Sequence, residues 1–98
     1  MKTNKEYVLR EIAGEPLLIP TGMASQKLNG MIRLTETAAF IWKQADAASD
    51  LEEIVERILQ EFDVDEETAR RDVYGFLREL YIRGIVEDIP EFAGDQKV

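Results

Sequence analysis

Acidic side chains in two groups, and arginines along one segment, are the residues whose type and spacing suit chemistry. Glu52, Glu53 and Glu56 would form a carboxylate cluster, and Asp63, Asp65 and Glu67 alternate as calcium-loop ligands do. Paired acid–base catalysis needs two carboxyl groups held in different environments. Three acids at this spacing on a helix are instead the pattern of a solvated face. The second group lacks the turn glycine and the closing bidentate glutamate of an EF-hand. The chain contains no cysteine and no histidine, which removes the thiolate, the disulfide, the commonest general base and the commonest metal ligand together. The residues therefore read as a non-enzyme with no metal and no cofactor.

The arginines fall on a segment of helical period. At 100° per residue, Ala69, Val73, Phe76 and Leu80 share one face and are expected in a core. Arg70, Tyr74, Leu77 and Tyr81 form the adjoining stripe, with Arg78 at its margin and Arg71 further round. Amphipathic rings beside guanidinium groups suit a contact surface, since the rings supply area and arginine supplies directed donors. The alternative is that both tyrosines cover the edge of the core while the arginines pair with neighbouring acids. Arg70 is within helical reach of Glu66 and Glu67.

Charge decides between partners. Twenty acidic against 12 basic side chains leave a net charge of −8, which repels a phosphate backbone unless the basic groups cluster. A winged-helix DNA-binding protein remains the rival reading, because Arg70, Arg71, Arg78 and Arg83 share one helix. Against it, the N-terminus of that helix is acidic, and a major-groove reader inserts that end first. No apolar run reaches the length of a membrane span, and the start lacks a signal-peptide core, so the expected location is cytoplasmic.

The elements that must position these residues divide the chain into a β-like first third and a helical remainder. Tyr7–Ala13 and Pro16–Thr21 are rich in strand formers and are joined through Gly14-Glu15, which reads as a tight hairpin. Asn29-Gly30 precedes Met31-Ile32-Arg33-Leu34, a third strand with Ile32 and Leu34 on one face. Thr35-Glu36 opens a first helix that is apolar on several sides, with Trp42 expected to be largely buried. Ser49 and Glu52 read as a capping box for a second helix, apolar at 51, 54, 55, 58, 59 and 62. Asp65 caps a third helix that stops at Gly84. Residues 1–6 are set aside as a flexible N-terminus and 87–98 as a loose tail, leaving one domain at 7–86.

The run Leu34-Thr35-Glu36-Thr37-Ala38-Ala39-Phe40-Ile41-Trp42 resembles the strand-to-helix turn of the PqqD family, typically L-N-E-T-G-A-F-I-W. Asp50-Leu51-Glu52-Glu53-Ile54-Val55, Phe62 to Ala69, Asp72-Val73 and Phe76-Leu77 then follow in the family's order over residues 7–88. Thr35 replaces the usual Asn and keeps a cap, Ala38 stands where Gly is common, and Gln44 to Ala48 is a less apolar helix exit.

The resemblance implies an α+β, winged-helix-like domain: a three-stranded antiparallel sheet followed by a three-helix bundle. It also implies a precursor-peptide recognition element. Such a module takes the leader of a ribosomally made peptide as an added strand and presents it to a modifying enzyme, with a radical-SAM protein among the candidates. Carried onto this chain, the receiving edge falls on Leu28, Met31, Ile32, Arg33 and Leu34. The groove wall falls on Arg70, Tyr74, Leu77, Arg78 and Tyr81, with Arg71 outside it. Family members serve pyrroloquinoline quinone, lasso-peptide and other peptide pathways, and no residue here chooses among them. A monomer or weak homodimer is expected, without nucleic acid or membrane as partner. A structural interaction subunit with no peptide client would share the same fold.

Overall fold

The structure, a computed structural model, describes residues 1–26 and 30–95. Its order is β1 (Lys2–Thr3), β2 (Tyr7–Ile12), β3 (Glu15–Pro20), a 3₁₀ turn at Gly22–Gln26, β4 (Ile32–Arg33), α1 (Glu36–Ala45), α2 (Leu51–Glu61), α3 (Glu66–Ile82), β5 (Val86–Glu87) and a last 3₁₀ turn at Pro90–Phe92. The fold is α+β: an antiparallel sheet of order β2-β3-β4 set against three helices.

The hairpin turn is Ala13-Gly14, one residue earlier than the expected link, and Ile12 pairs with Glu15. Both turn residues have positive φ, 53° and 79°, which is the two-residue geometry whose twist matches the flanking strands. Pro20 ends β3 opposite Tyr7, so its missing N–H falls at the end of the ladder.

Each helix start is capped by a side chain. Thr35 accepts from the Ala38 N–H at 3.0 Å and Asp65 from the Thr68 N–H at 2.8 Å. The cap of α2 is Asp50, which accepts from the Glu53 N–H at 2.9 Å; Glu53 in turn accepts from the Ser49 N–H. The cap thus sits one residue later than Ser49, with Glu53 in place of Glu52 reaching back to the residue before it, because Asp50 is itself a strong cap and lies closer to the first apolar turn. At the end of α3, Gly84 adopts φ 77°. Its N–H meets the Tyr81 carbonyl and that of Ile85 meets Leu80, the paired bonds of a Schellman stop.

The core lies where the three helices meet the sheet. Leu18, Ile41, Leu51, Ile54, Val55, Ile58, Val73, Leu77 and Leu80 are buried there. Trp42 is half-buried against this core rather than enclosed by it, in keeping with an indole too large to be covered fully in a small domain. Phe40 turns outward to meet Phe62 edge-on, ring centres 5.4 Å apart.

The described residues near both ends of the domain, 1–5 and 86–95, pack onto it. Thr3 and Val86 pair across β1 and β5, and the Asp46 carboxylate takes the Thr3 N–H at 2.9 Å, the Thr3 hydroxyl at 2.6 Å and the Lys5 ammonium. Burial alone would raise the Asp46 pKa, but the hydrogen bonds from Lys5 and Thr3 outweigh it and hold the group at about 2. At the other end, Ile89 and Phe92 are buried, with the Phe92 ring against Tyr74 and Tyr81. Of the segments set aside as 1–6 and 87–98, the described residues therefore contribute a strand and two core side chains. Local composition hid this, since a two-residue strand and isolated apolar residues acquire their partners only in three dimensions.

Candidate functional site

β4 is the outer strand of its sheet. Leu17 lies opposite Arg33 and Leu18 opposite Ile32, and the Leu34 N–H donates to the Pro16 carbonyl at 3.0 Å. In an antiparallel ladder, inward bonding alternates from residue to residue. Leu34 and Ile32 therefore spend their main-chain groups on β3, and Arg33 turns its N–H and C=O to the open side. The edge is short, and it is the kind of row that another chain can extend.

This edge overlooks a groove of about 520 Å³ between β4 and α3, within the usual size range of ligand clefts. Ile32, Arg33 and Leu34 form one side. Thr37, Ala38 and Ile41 of α1 form the floor, and Arg71, Asp72, Gly75, Phe76, Glu79 and Leu80 of α3, with Arg83 just past its end, the far wall. The apolar part runs along Ile32, Ala38 and Phe76, with charge gathered along the α3 rim. Gly75 stands midway along that wall. A β-carbon there would meet no atom within 4 Å, so this chain's own packing does not demand the glycine.

The structure thus brings Ile32, Arg33 and Leu34 into the groove. Met31 does not line it and is 64% exposed, and Leu28 lies outside the described residues. It turns the expected helix wall away. Arg70 binds Glu52 and Glu66, and the Tyr74 hydroxyl donates to Glu52 at 2.7 Å. Leu77 is fully buried and Tyr81 nearly so, and Arg78 pairs with Asp95 at 2.9 Å. These five residues seam α3 to α2 and to the C-terminal segment. The hydrogen bonds from Arg70 and then Tyr74 pull the Glu52 pKa down to about 2; the same bond to Glu52, with desolvation, pushes Tyr74 up to about 12.

The physical reason for the exchange is that α3 is covered on two sides. Tyr74 and Tyr81 are taken by α2 and Phe92, so the stripe left open is the polar one containing Arg71, Gly75 and Glu79. In the sequence, charged residues at that four-residue spacing look like an ordinary solvated face. The informative signal was Gly75, a helix-interior glycine that costs about 1 kcal/mol relative to alanine. Phe76, expected in the core, is half-buried on this wall.

The other candidates for chemistry are occupied or dispersed. Asp65 is engaged as the α3 cap, and its hydrogen bond to Thr68 lowers its pKa. Glu52 and Glu53 hold arginines. Among the described residues, no helix is long and apolar enough to cross a membrane.

Comparison with known proteins agrees with this architecture. The family model for Coenzyme PQQ synthesis protein D (PqqD) matches residues 6–86. A solved structure, TbiB1 in complex with the TbiA(beta) leader peptide, superposes with a TM-score of 0.67 at 29% sequence identity, covering 89% of this chain and 95% of that one. No curated protein shows a significant match to the chain.

Proposed function

The chain belongs to the PqqD family, and from that premise we propose that it is a non-catalytic module that binds the leader of a ribosomally made precursor peptide by strand addition. The observation that carries this reading is the juxtaposition of an open β4 edge with a partly apolar groove walled by α3. Strand addition draws affinity from main-chain hydrogen bonds and specificity from pockets for alternate side chains. A similar protein was solved in complex with a leader peptide, which supports the same class of client here.

Magnitudes shape the mechanism. Ordering each leader residue costs about 1–2 kcal/mol, and a net hydrogen bond returns only about 1. Backbone pairing therefore roughly cancels the entropy, and affinity rests on one or two apolar side chains at about 1.5–3 kcal/mol each. Here they would lie against Ile32, Ala38 and Phe76. Dissociation constants of roughly 0.1 to 100 μM follow, which lets the module release its client. Catalysis belongs to a partner enzyme, and the module raises the leader's effective concentration beside it. The setting is the cytoplasm, where precursors leave the ribosome, with the module acting as a monomer or weak dimer.

Amide hydrogen exchange tests the reading with candidate precursor peptides encoded beside the gene for this chain. Binding should protect the outward Arg33 amide, while the Leu34 amide, already bonded to Pro16, changes little. Protection confined to the hairpin tip or to the Tyr74–Phe92 side would remove β4 as the receiving edge.

A further inference from the structure

Arg71 differs from every other arginine of the chain. Arg33, Arg57, Arg70, Arg78 and Arg83 each hold an acidic side chain, and Arg10 donates to the Leu9 carbonyl. Among the described residues, Arg71 makes neither an ion pair nor a hydrogen bond. Asp65 feels its charge through space, but no ion pair or hydrogen bond joins the two, and the Asp65 carboxylate caps the helix at the Thr68 N–H. In a chain with eight more acids than bases, a guanidinium left unpaired on a groove wall is a site in want of an anion. Its planar fork of donors matches a carboxylate.

The surroundings set where that anion sits. Glu79 on the same wall is neutralised by Arg83 at 2.9 Å. Asp72, the remaining carboxylate of the lining, is half-buried, whereas Arg71 is exposed, so the favourable position is at the rim. One helical turn beyond Arg71, the bare Gly75 leaves open space above the helix. The four residues from Arg71 to Gly75 advance about 6 Å along α3, close to the roughly 6.6 Å between same-face residues of a strand.

We propose that the groove selects peptides carrying an aspartate or glutamate that pairs with Arg71, two strand positions from the residue that passes over Gly75. This specificity rests on the peptide-binding reading above. It makes the module a reader of one acidic position, in addition to whatever apolar side chain fills the groove.

Display selection of random linear peptides on the intact protein tests both levels separately. Enriched peptides should share an acidic position, and exchanging it for its amide should weaken binding to the wild-type protein about tenfold. The same exchange should have no effect on Arg71→Gln, whose fold is kept because the side chain is exposed. Gly75→Leu should block all of these peptides while remaining folded. Peptides blocked by Gly75→Leu but sharing no acidic position, or losing equal affinity on both proteins, would overturn the acidic specificity and leave the peptide-binding reading standing. Failure to enrich any peptide, or enrichment insensitive to Gly75→Leu, would overturn both.

Discussion

Tyr74 of α3 donates its hydroxyl to Glu52 of α2 at 2.7 Å, and Arg70 reaches the same carboxylate at 2.6 Å. The Tyr74 ring also stands edge-on to Phe92, centres 6.3 Å apart. Tyr74 is therefore part of the seam that joins two helices to the C-terminal segment, on the side of α3 away from the groove.

Tyr74→Ala should accordingly lower stability by about 1–2 kcal/mol, mostly through the lost ring contact, since the hydrogen bond is solvent-exposed. Peptide affinity should stay as it is. Urea denaturation and calorimetric titration of a selected peptide separate the two effects. A large loss of affinity with unchanged stability would put the tyrosine back at the binding surface.

Gly75→Ala offers the converse. The position is exposed within a helix and an added β-carbon meets nothing, so the substitution should stabilise the free protein by about 0.5–1 kcal/mol. The urea midpoint should rise with an unchanged slope. A fall in stability would mean that the α3 wall is more crowded than its geometry shows.

Proline substitutions along β4 report which amides face outward. Ile32→Pro deletes an inward ladder donor and a half-buried side chain, and should cost about 2–4 kcal/mol. Arg33→Pro deletes an outward donor, so the fold should survive while peptide binding is lost. Arg33→Ala controls for the exposed contact to Glu15. Thermal unfolding of the three variants checks the order; equal destabilisation by both prolines would contradict the alternation.

The Asp46 clip sets a pH dependence. Its folded pKa lies at about 2 against an ordinary 3.8, so the group stabilises the fold above about 4 and loses that contribution as pH falls through about 2. Asp46→Asn should cost about 1 kcal/mol near neutrality, a modest figure because the pairing with Lys5 is open to water. Stability curves of wild type and variant should converge between pH 4 and 2. Curves that stay parallel down to pH 2 would show that the carboxylate charge is not what holds Thr3.

Much of the architecture is legible from local chemistry. Alternation placed Ile32 and Leu34 on one face of the third strand. The caps Thr35 and Asp65 and the stop at Gly84 delimit two helices, because short-range hydrogen bonds to backbone groups are written within a few residues. The family motif from Leu34 to Trp42 and the fragments after it carried the fold class. The N-terminal strand was hidden, since Lys2–Thr3 has no signal of its own until Val86–Glu87 and Asp46 lie beside it.

The face of α3 that borders the groove was also beyond local reading. Helical period groups Arg70, Tyr74, Leu77 and Tyr81 on one side and leaves Arg71 further round, where the groove shows that Gly75 and Glu79 accompany it. It does not say which neighbour each side meets. That depended on Glu52, Phe92 and Asp95, residues 18, 11 and 17 positions away from their partners, closing one stripe while the short β4 left the other open. A periodic pattern fixes angles about a helix axis, but only packing of distant segments decides which angle remains exposed to a ligand.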